Sequence, residues 1–508
     1  MKKAFLFVAL GLGIAFDVLF WGKLPGVSFA VFTALCLISG YLLLRAQAIR
    51  PARLSLFLLL PVAFFAGMSF TRLEPFTTLL NYALTLVCLA LFASTYRGGQ
   101  WLAFSLPDYA LTFLRLAGSA LSFGWSALTS EKTENKPSRV APILRGLLIA
   151  LPILFVFGAL LSSADLIFAQ KLKGLFAGFN PETLTRACLI LLVAYLLAGI
   201  FNHAASRSQS AALLGVDKPL LAPFLGSTEA SVILGSILLL FGAFVLIQFQ
   251  YFFSGQTAIS PSGFTYSEYA RRGFGELVAV AAFSLLLFKS LSAVTRRETR
   301  QQQTIFSALG IALVALVLII LVSAFQRLWL YEAAYGFSRL RAYAHVFILW
   351  LGVFLAGVAL LEVFKHQRAF TTLGLLILLG FGASLNILNV DAFIARQNIQ
   401  RAAHGSPLDA AYLTQLTPDA VPTMVNQLSD PALIPAIKEQ IGAALACYQQ
   451  RNSASAAQPL PWQSFHLARW NAQQALDSVA DLLGRYRVEE GDGAFLVTSP
   501  AGVEIFCQ

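Results

Sequence analysis

The stretch FTYSEYARRGFGEL, residues 264–277, sets Tyr266, Glu268, Arg271, Arg272 and Glu276 at the mouth of a long apolar run. Guanidinium forks of this kind grip phosphate or carboxylate through paired donors. A carboxylate whose pKa is tuned by its neighbours can take a proton from a substrate hydroxyl within hydrogen-bond reach. Glu268, Arg272 and Glu276 also follow one another at intervals of four, so on a helix they form a ladder of charge pairs that partly neutralises itself and anchors a span at the interface. Three other stretches carry similar mixtures. SSADLIFAQKLKGLF (162–176) holds Asp165, and QRLWLYEAAYGFSRLRAYAH (326–345) holds Arg327, Tyr331, Glu332, Tyr335, Arg339, Arg341 and His345. NILNVDAFIARQNIQR (386–401) holds Asn386, Asn389, Asp391, Arg396, Asn398 and Arg401. No Ser-His-Asp order, HExxH helix or Cys nucleophile with a positioned His accompanies them, so no catalytic residue is assigned.

The elements that must position these residues are membrane helices. With 57% hydrophobic and 12% charged residues over 508 positions, the chain cannot be wrapped as a water-soluble core and surface. Apolar runs of roughly 17 to 25 residues cross a hydrocarbon core about 30 Å thick as helices. About eleven such runs occur, near 4–20, 27–44, 54–70, 76–94, 143–163, 184–203, 229–253, 275–293, 304–326, 342–362 and 370–389. The expected fold is an all-α polytopic membrane protein with a small, soluble, mainly helical C-terminal domain ending in a short hairpin. The first run, MKKAFLFVALGLGIAF, is interrupted by Asp17 and lacks a small-residue cleavage site, so it reads as a retained span. Lys and Arg accumulate on the side of Lys2, Arg45, Arg97, Arg207, Arg296 and Lys365, which makes that side cytoplasmic. On this reading the N-terminus is inside a bacterial inner membrane and the C-terminal domain is extracytoplasmic. All four polar clusters then open outward, as do Asp17 and Gln248, and such groups are costly near hydrocarbon unless they pair or line a shared cavity.

The chain divides into 1–95, four N-terminal membrane helices; 96–142, a cytoplasmic or interfacial segment; 143–390, the membrane core; and 391–508, the soluble domain. Pro107, Asp108 and Arg115 interrupt the apolar half of the second segment, which suits a helix lying along the inner leaflet. If residues 101–128 span instead, the topology downstream inverts. In the last segment, Ser406, Thr417 and Ser429 offer helix caps, and DPALIPAIKEQIGAALACYQQR and WQSFHLARWNAQQALDSVADLLGRYRV read as two longer helices. GAFLVTSPAGVEIFCQ reads as two strands joined at Ser-Pro-Ala-Gly. Cys447 and Cys507 both fall in this domain, where an oxidising compartment would permit a disulfide tying the last strand to a helix. The histidines lack ligand spacing on any one helix, so neither metal nor cofactor is expected. The net charge of +11 reflects topology, and no recognition pattern for nucleic acid is present. The bilayer is the expected partner, a protein partner at the C-terminal domain is an option, and the number of subunits stays open.

LLSSADLIFA, FTYSEYARRGFGELVAV, YGFSRLRAY and NVDAFIARQNIQR…LDAAYL…TPDAVP, in that order over roughly residues 140–430, resemble the signature blocks of DUF4173, a family of uncharacterised bacterial polytopic membrane proteins related to the DUF4153 group. The family's block at Asp165 usually continues with a proline, where this chain has Leu166. The resemblance implies a polytopic fold with motifs on the outer face and carries no reaction. Three roles follow from the residues. The first is a structural, sensory or assembly role in which the polar network docks the C-terminal domain. The second is a transporter or flippase-like protein gripping a polar or lipid-headgroup ligand with Arg271, Arg272, Arg339 and Arg341. The third is a membrane enzyme acting on a lipid-linked substrate.

Overall fold

A computed structural model describes residues 2–129, 150, 154, 157–158, 160–175, 181–209, 223–254, 274–455, 460–490 and 495–507. Among the described residues, eight helices are long and apolar enough to cross a membrane: Val27–Arg45, Pro75–Thr95, Pro181–Ser206, Ser227–Gln248, Gly275–Val294, Arg300–Tyr335, Arg339–Val363 and Phe370–Leu388. Each matches a run expected from sequence. The runs at 4–20 and 54–70 are shorter apolar helices, Ala4–Phe20 and Arg53–Met68, and most of the 143–163 run lies outside the described residues.

Hydrogen bonds between helix ends sort the bundle into two poles. At one, which we call the lower end, Ala52 N–H donates to Tyr96 O (2.6 Å), Gly98 N–H to Ser208 O (3.0 Å) and Arg296 N–H to Leu225 O (2.8 Å). Thr372 Oγ1 joins this end by donating to Leu102 O (2.8 Å). At the upper end, Arg186 clasps Asp17 through Nε–Oδ1 (3.1 Å) and Nη2–Oδ2 (2.5 Å), while Trp21 Nε1 donates to Glu182 (3.0 Å). The Pro181–Ser206 helix thus runs from upper to lower end. Arg300–Tyr335, with 36 residues, is about 54 Å long and carries the chain from the lower end to the upper.

Side chains explain the close pairings. The Pro75–Thr95 helix begins at Glu74, whose carboxylate accepts from Phe76 N (3.0 Å) and Thr77 N (2.7 Å), with proline in the first turn where no amide partner is needed. Thr299 and Gln302 form a reciprocal capping box at the start of Arg300–Tyr335. The amphipathic helix Leu106–Thr129 is not among the eight candidate spans. It lies against Pro181–Ser206, where a side chain on Gly199 would come within 2.5 Å of Ala120 Cα, so glycine is what permits the approach.

The C-terminal elements form a layer over the upper end. Val390–Ala403, Ala410–Thr414, Val421–Leu428, Pro435–Ser455 and Leu467–Asp477 pack around Ile394, Ile399, Leu413, Val421, Met424, Ile441 and Leu445, and this core runs without a break into Ala342, Val346 and Leu385 of the bundle. The second of the long helices expected from sequence is broken into Leu467–Asp477 and Ala480–Leu483. The expected hairpin is a three-stranded antiparallel sheet, β1 (Arg487–Glu490), β2 (Phe495–Thr498) and β3 (Glu504–Cys507), with Val488 opposite Val497 and Val497 opposite Ile505. Cys507 on β3 is joined in a disulfide to Cys447 on Pro435–Ser455, their Cα atoms 5.7 Å apart.

Candidate functional site: the polar seam beneath the C-terminal layer

The Arg339–Val363 helix starts at the upper end, directly under the layer, and its first residue makes the central contact. Arg339 meets Asp391 as a fork, Nε to Oδ1 (2.8 Å) and Nη2 to Oδ2 (2.7 Å). Asp391 Oδ2 also accepts from Thr417 N (2.7 Å) and Thr417 Oγ1 (2.7 Å). Asp391 is fully buried. A buried carboxylate persists only when paired and hydrogen-bonded, and both of its oxygens accept from groups of this chain. Nη2 of Arg339 adds a bond to Gln415 O (3.0 Å). Three strands of sequence, 339, 391 and 415–417, are thereby joined through one ion pair.

A second carboxylate extends the seam. Asp419 Oδ2 accepts from Leu73 N (2.7 Å) and Glu74 N (3.1 Å), and its Oδ1 lies 3.7 Å from Arg72 Nη1. Burial pushes the Asp419 carboxyl above the usual carboxylate range, opposed by the Leu73 amide and the Arg72 guanidinium. Arg72 Nε donates to Asn386 O (2.9 Å), and Asn386 exchanges amide hydrogen bonds with Asn81 (3.0 and 2.7 Å). Tyr343 donates to Glu74, closing the circuit back to the Arg339–Val363 helix.

The remaining predicted residues fall into place around this seam or away from it. Asn389 takes a left-handed backbone (φ 51°) at the joint between Phe370–Leu388 and Val390–Ala403, a conformation asparagine tolerates better than most residues. Glu332, 1% exposed, has its Oε1 3.0 Å from His345 Nδ1, and Phe325 meets the imidazole edge-on. Arg341 lies over the Tyr331 ring, 4.1 Å from its centroid, and donates to Gly336 O. Tyr331 in turn packs edge-on against Tyr335, which is exposed. Arg327 is half-buried one turn before Tyr331. Asn398 grips the turn before Arg339, accepting from Phe337 N (2.7 Å) and donating to Phe337 O (3.0 Å).

Other predicted members do not join. Asp165 is exposed and caps its own helix, Leu166–Leu175, by accepting from Ile167 N (2.7 Å) and Phe168 N (3.1 Å). Glu276 and Arg396 are exposed. Tyr266, Glu268, Arg271 and Arg272 lie outside the described residues. The cap assignments also change: Asp409, not Ser406, caps Ala410–Thr414, and Thr417 turns its side chain to Asp391. Ser429 follows the end of Val421–Leu428. Arg72 pairs with Asp419 in place of its sequence neighbour Glu74.

Sequence reasoning missed Arg72 as a seam residue, together with Asn81, Tyr343, Thr417 as a donor and Asp419. The Glu74-Pro75 step is a recognisable helix start, but its union with a carboxylate 345 positions away has no local signal. Residues 56–427 match the family model of DUF4153, described as a domain of unknown function. No curated protein and no solved structure matches the chain.

Proposed function

From a chain that belongs to the DUF4153 family and carries many membrane-length helices, we propose a structural or assembly role in which the polar seam locks the C-terminal layer onto the membrane bundle. One observation carries this reading: Asp391, the most deeply buried acid of the predicted cluster, has both oxygens committed to Arg339 and Thr417. A general base or a ligand-binding carboxylate needs an oxygen facing a substrate; this one faces protein on every side. Arg339 and Arg341 are likewise spent on internal partners. The arrangement therefore favours docking over transport or hydrolysis.

Within that group the four signature blocks favour DUF4173. The lower end gathers Arg45, Arg50, Arg53, Arg97, Arg207, Arg296, Arg297, Arg300, Lys365 and Arg368, so on the positive-inside rule it faces the cytoplasm of a bacterial inner membrane. The layer then stands outside, where the Cys447–Cys507 pair meets oxidising conditions. The 143–163 run of the sequence, most of which lies outside the described residues, would bring the eight spans and the two shorter apolar helices to the expected eleven. The proposed division stays at 1–95, 96–142, 143–390 and 391–508, with the exposed face of the last part open to a protein partner. Reporter fusions after Gln508 and near Lys136 test the topology. The expected result is an external signal from the first and an internal signal from the second. An internal signal from both would overturn it.

A further inference from the structure

At the lower end, opposite the seam, a cleft opens between the end of Pro75–Thr95, the amphipathic Leu106–Thr129 helix and the end of Pro181–Ser206. Its lining includes Ser94, Thr112, Arg115, His203, Arg207 and Gln209. Arg115 and Arg207 are exposed at the opening. Arg207 Nη1 donates to Ser119 Oγ (3.3 Å), which lies 2.8 Å from His203 Nδ1. Arg207 and His203 are thus joined through one hydroxyl. Among the described residues Asp108 is the one acid in the lining, and it accepts from Ser105 N (2.9 Å) and Ser105 Oγ (2.6 Å) at the start of its own helix.

The decisive group is Ser94. Helical Ser and Thr usually satisfy their hydroxyl by donating one turn back, as Thr85 does to Asn81 O, Thr95 to Leu91 O and Ser208 to Ala204 O. Ser94 is 8% exposed and its Oγ has no hydrogen-bond partner. A buried hydroxyl of that kind is costly unless something outside the chain completes it. An unfilled hydroxyl in a lining that also holds two guanidiniums suits an oxyanion.

We propose that this cleft binds a phosphate group, presented either by a soluble phosphate or by the headgroup of an anionic lipid. Two guanidiniums set against one acid leave the lining net positive, and each fork matches a pair of phosphate oxygens. Leu106, Leu114 and Leu121 are exposed on the helix that carries Arg115, which places the cleft beside lipid as well as water. This goes beyond the docking role and does not depend on it.

The test uses the full chain in phosphatidylcholine nanodiscs, titrated calorimetrically with inorganic phosphate, and the chain in detergent, assayed by native mass spectrometry for retention of phosphatidic acid over phosphatidylcholine. Arg115→Gln, Arg207→Gln and Ser94→Ala are compared with wild type, and Arg396→Gln serves as a control remote from the cleft. Saturable phosphate binding that weakens about tenfold or more in either arginine variant, with a smaller loss in Ser94→Ala, identifies a soluble anion. Selective retention of phosphatidic acid lost in the same variants, without phosphate binding, identifies the lipid headgroup. Binding of neither probe, or binding that all three variants leave unchanged, overturns the proposal. Because both arginines are exposed, their removal leaves the fold intact and the outcome readable.

Discussion

At the scale of single residues, the seam shows how a carboxylate near a membrane is made tolerable by being consumed. Asp391 has both oxygens bonded to Arg339 or Thr417, while Asp419 depends on two backbone amides and a longer contact to Arg72. A second docking point rests on a histidine. His466 Nε2 donates to Ser69 O (3.1 Å), Leu467 N to Phe70 O (2.8 Å), and Val27 N to Phe465 O (2.9 Å), fastening residues 465–467 to the upper ends of two helices. Burial pushes the His466 imidazole down from 6.5 to about 4, helped by the nearby Arg469 charge. The folded state thus prefers the neutral ring. Its contribution is complete above pH 6.5 and is lost as pH falls through the window toward 4. Heat-unfolding midpoints measured across that window should fall more steeply for wild type than for His466→Gln, which keeps a donor and does not titrate. Parallel curves would show that His466 does not report on docking.

At the scale of elements, close approach decides which helices pair. Gly13 faces Pro181–Ser206 so tightly that a Cβ there would sit 2.4 Å from Ile190 O and 3.3 Å from Ala194 Cβ. Gly13→Val is expected to push the first helix away, lose the Asp17–Arg186 clasp and destabilise the fold by about 1–3 kcal/mol. Gly11→Val, with nothing within 4 Å, should leave the midpoint near wild type. Equal effects of the two would remove close packing as the cause. Elements were the most legible part of the sequence, because a run such as 304–326 or 342–362 announces a span by length and apolarity alone. Partners were less so. The mixed clusters at 326–345 and 386–401 pointed to a shared polar region, and Arg339 of the first pairs with Asp391 of the second. Asp165, however, reads the same in sequence yet only caps its own helix. Whether an acid caps locally or bridges distantly is set by tertiary packing, which no spacing rule encodes. The extra strand β1 was missed for a related reason: RVEE has too little apolar alternation to declare itself until Val497 lies opposite Val488.

At the scale of the whole molecule, the two poles differ in kind. The lower end is basic and holds the oxyanion cleft, and the upper end is roofed by a layer whose core is continuous with the bundle. The Cys447–Cys507 bond closes a loop of 60 residues in that layer; reducing it should cost about 2–4 kcal/mol. Alkylation of protein taken from an oxidising compartment without reductant should leave both thiols unmodified, whereas labelling of both would show that the bond does not form there. The seam and the His466 contact together make the layer part of one folding unit with the membrane helices. Hydrogen exchange over residues 410–428, compared between wild type and Arg339→Ala in nanodiscs, tests this most directly. Removing one partner of a buried ion pair typically costs about 3–5 kcal/mol. The account predicts strong protection in wild type and a rise in exchange of at least about a hundredfold across this segment in the variant, with the mid-membrane amides unchanged. Rapid exchange of 410–428 in wild type, or equal protection in both proteins, would contradict it.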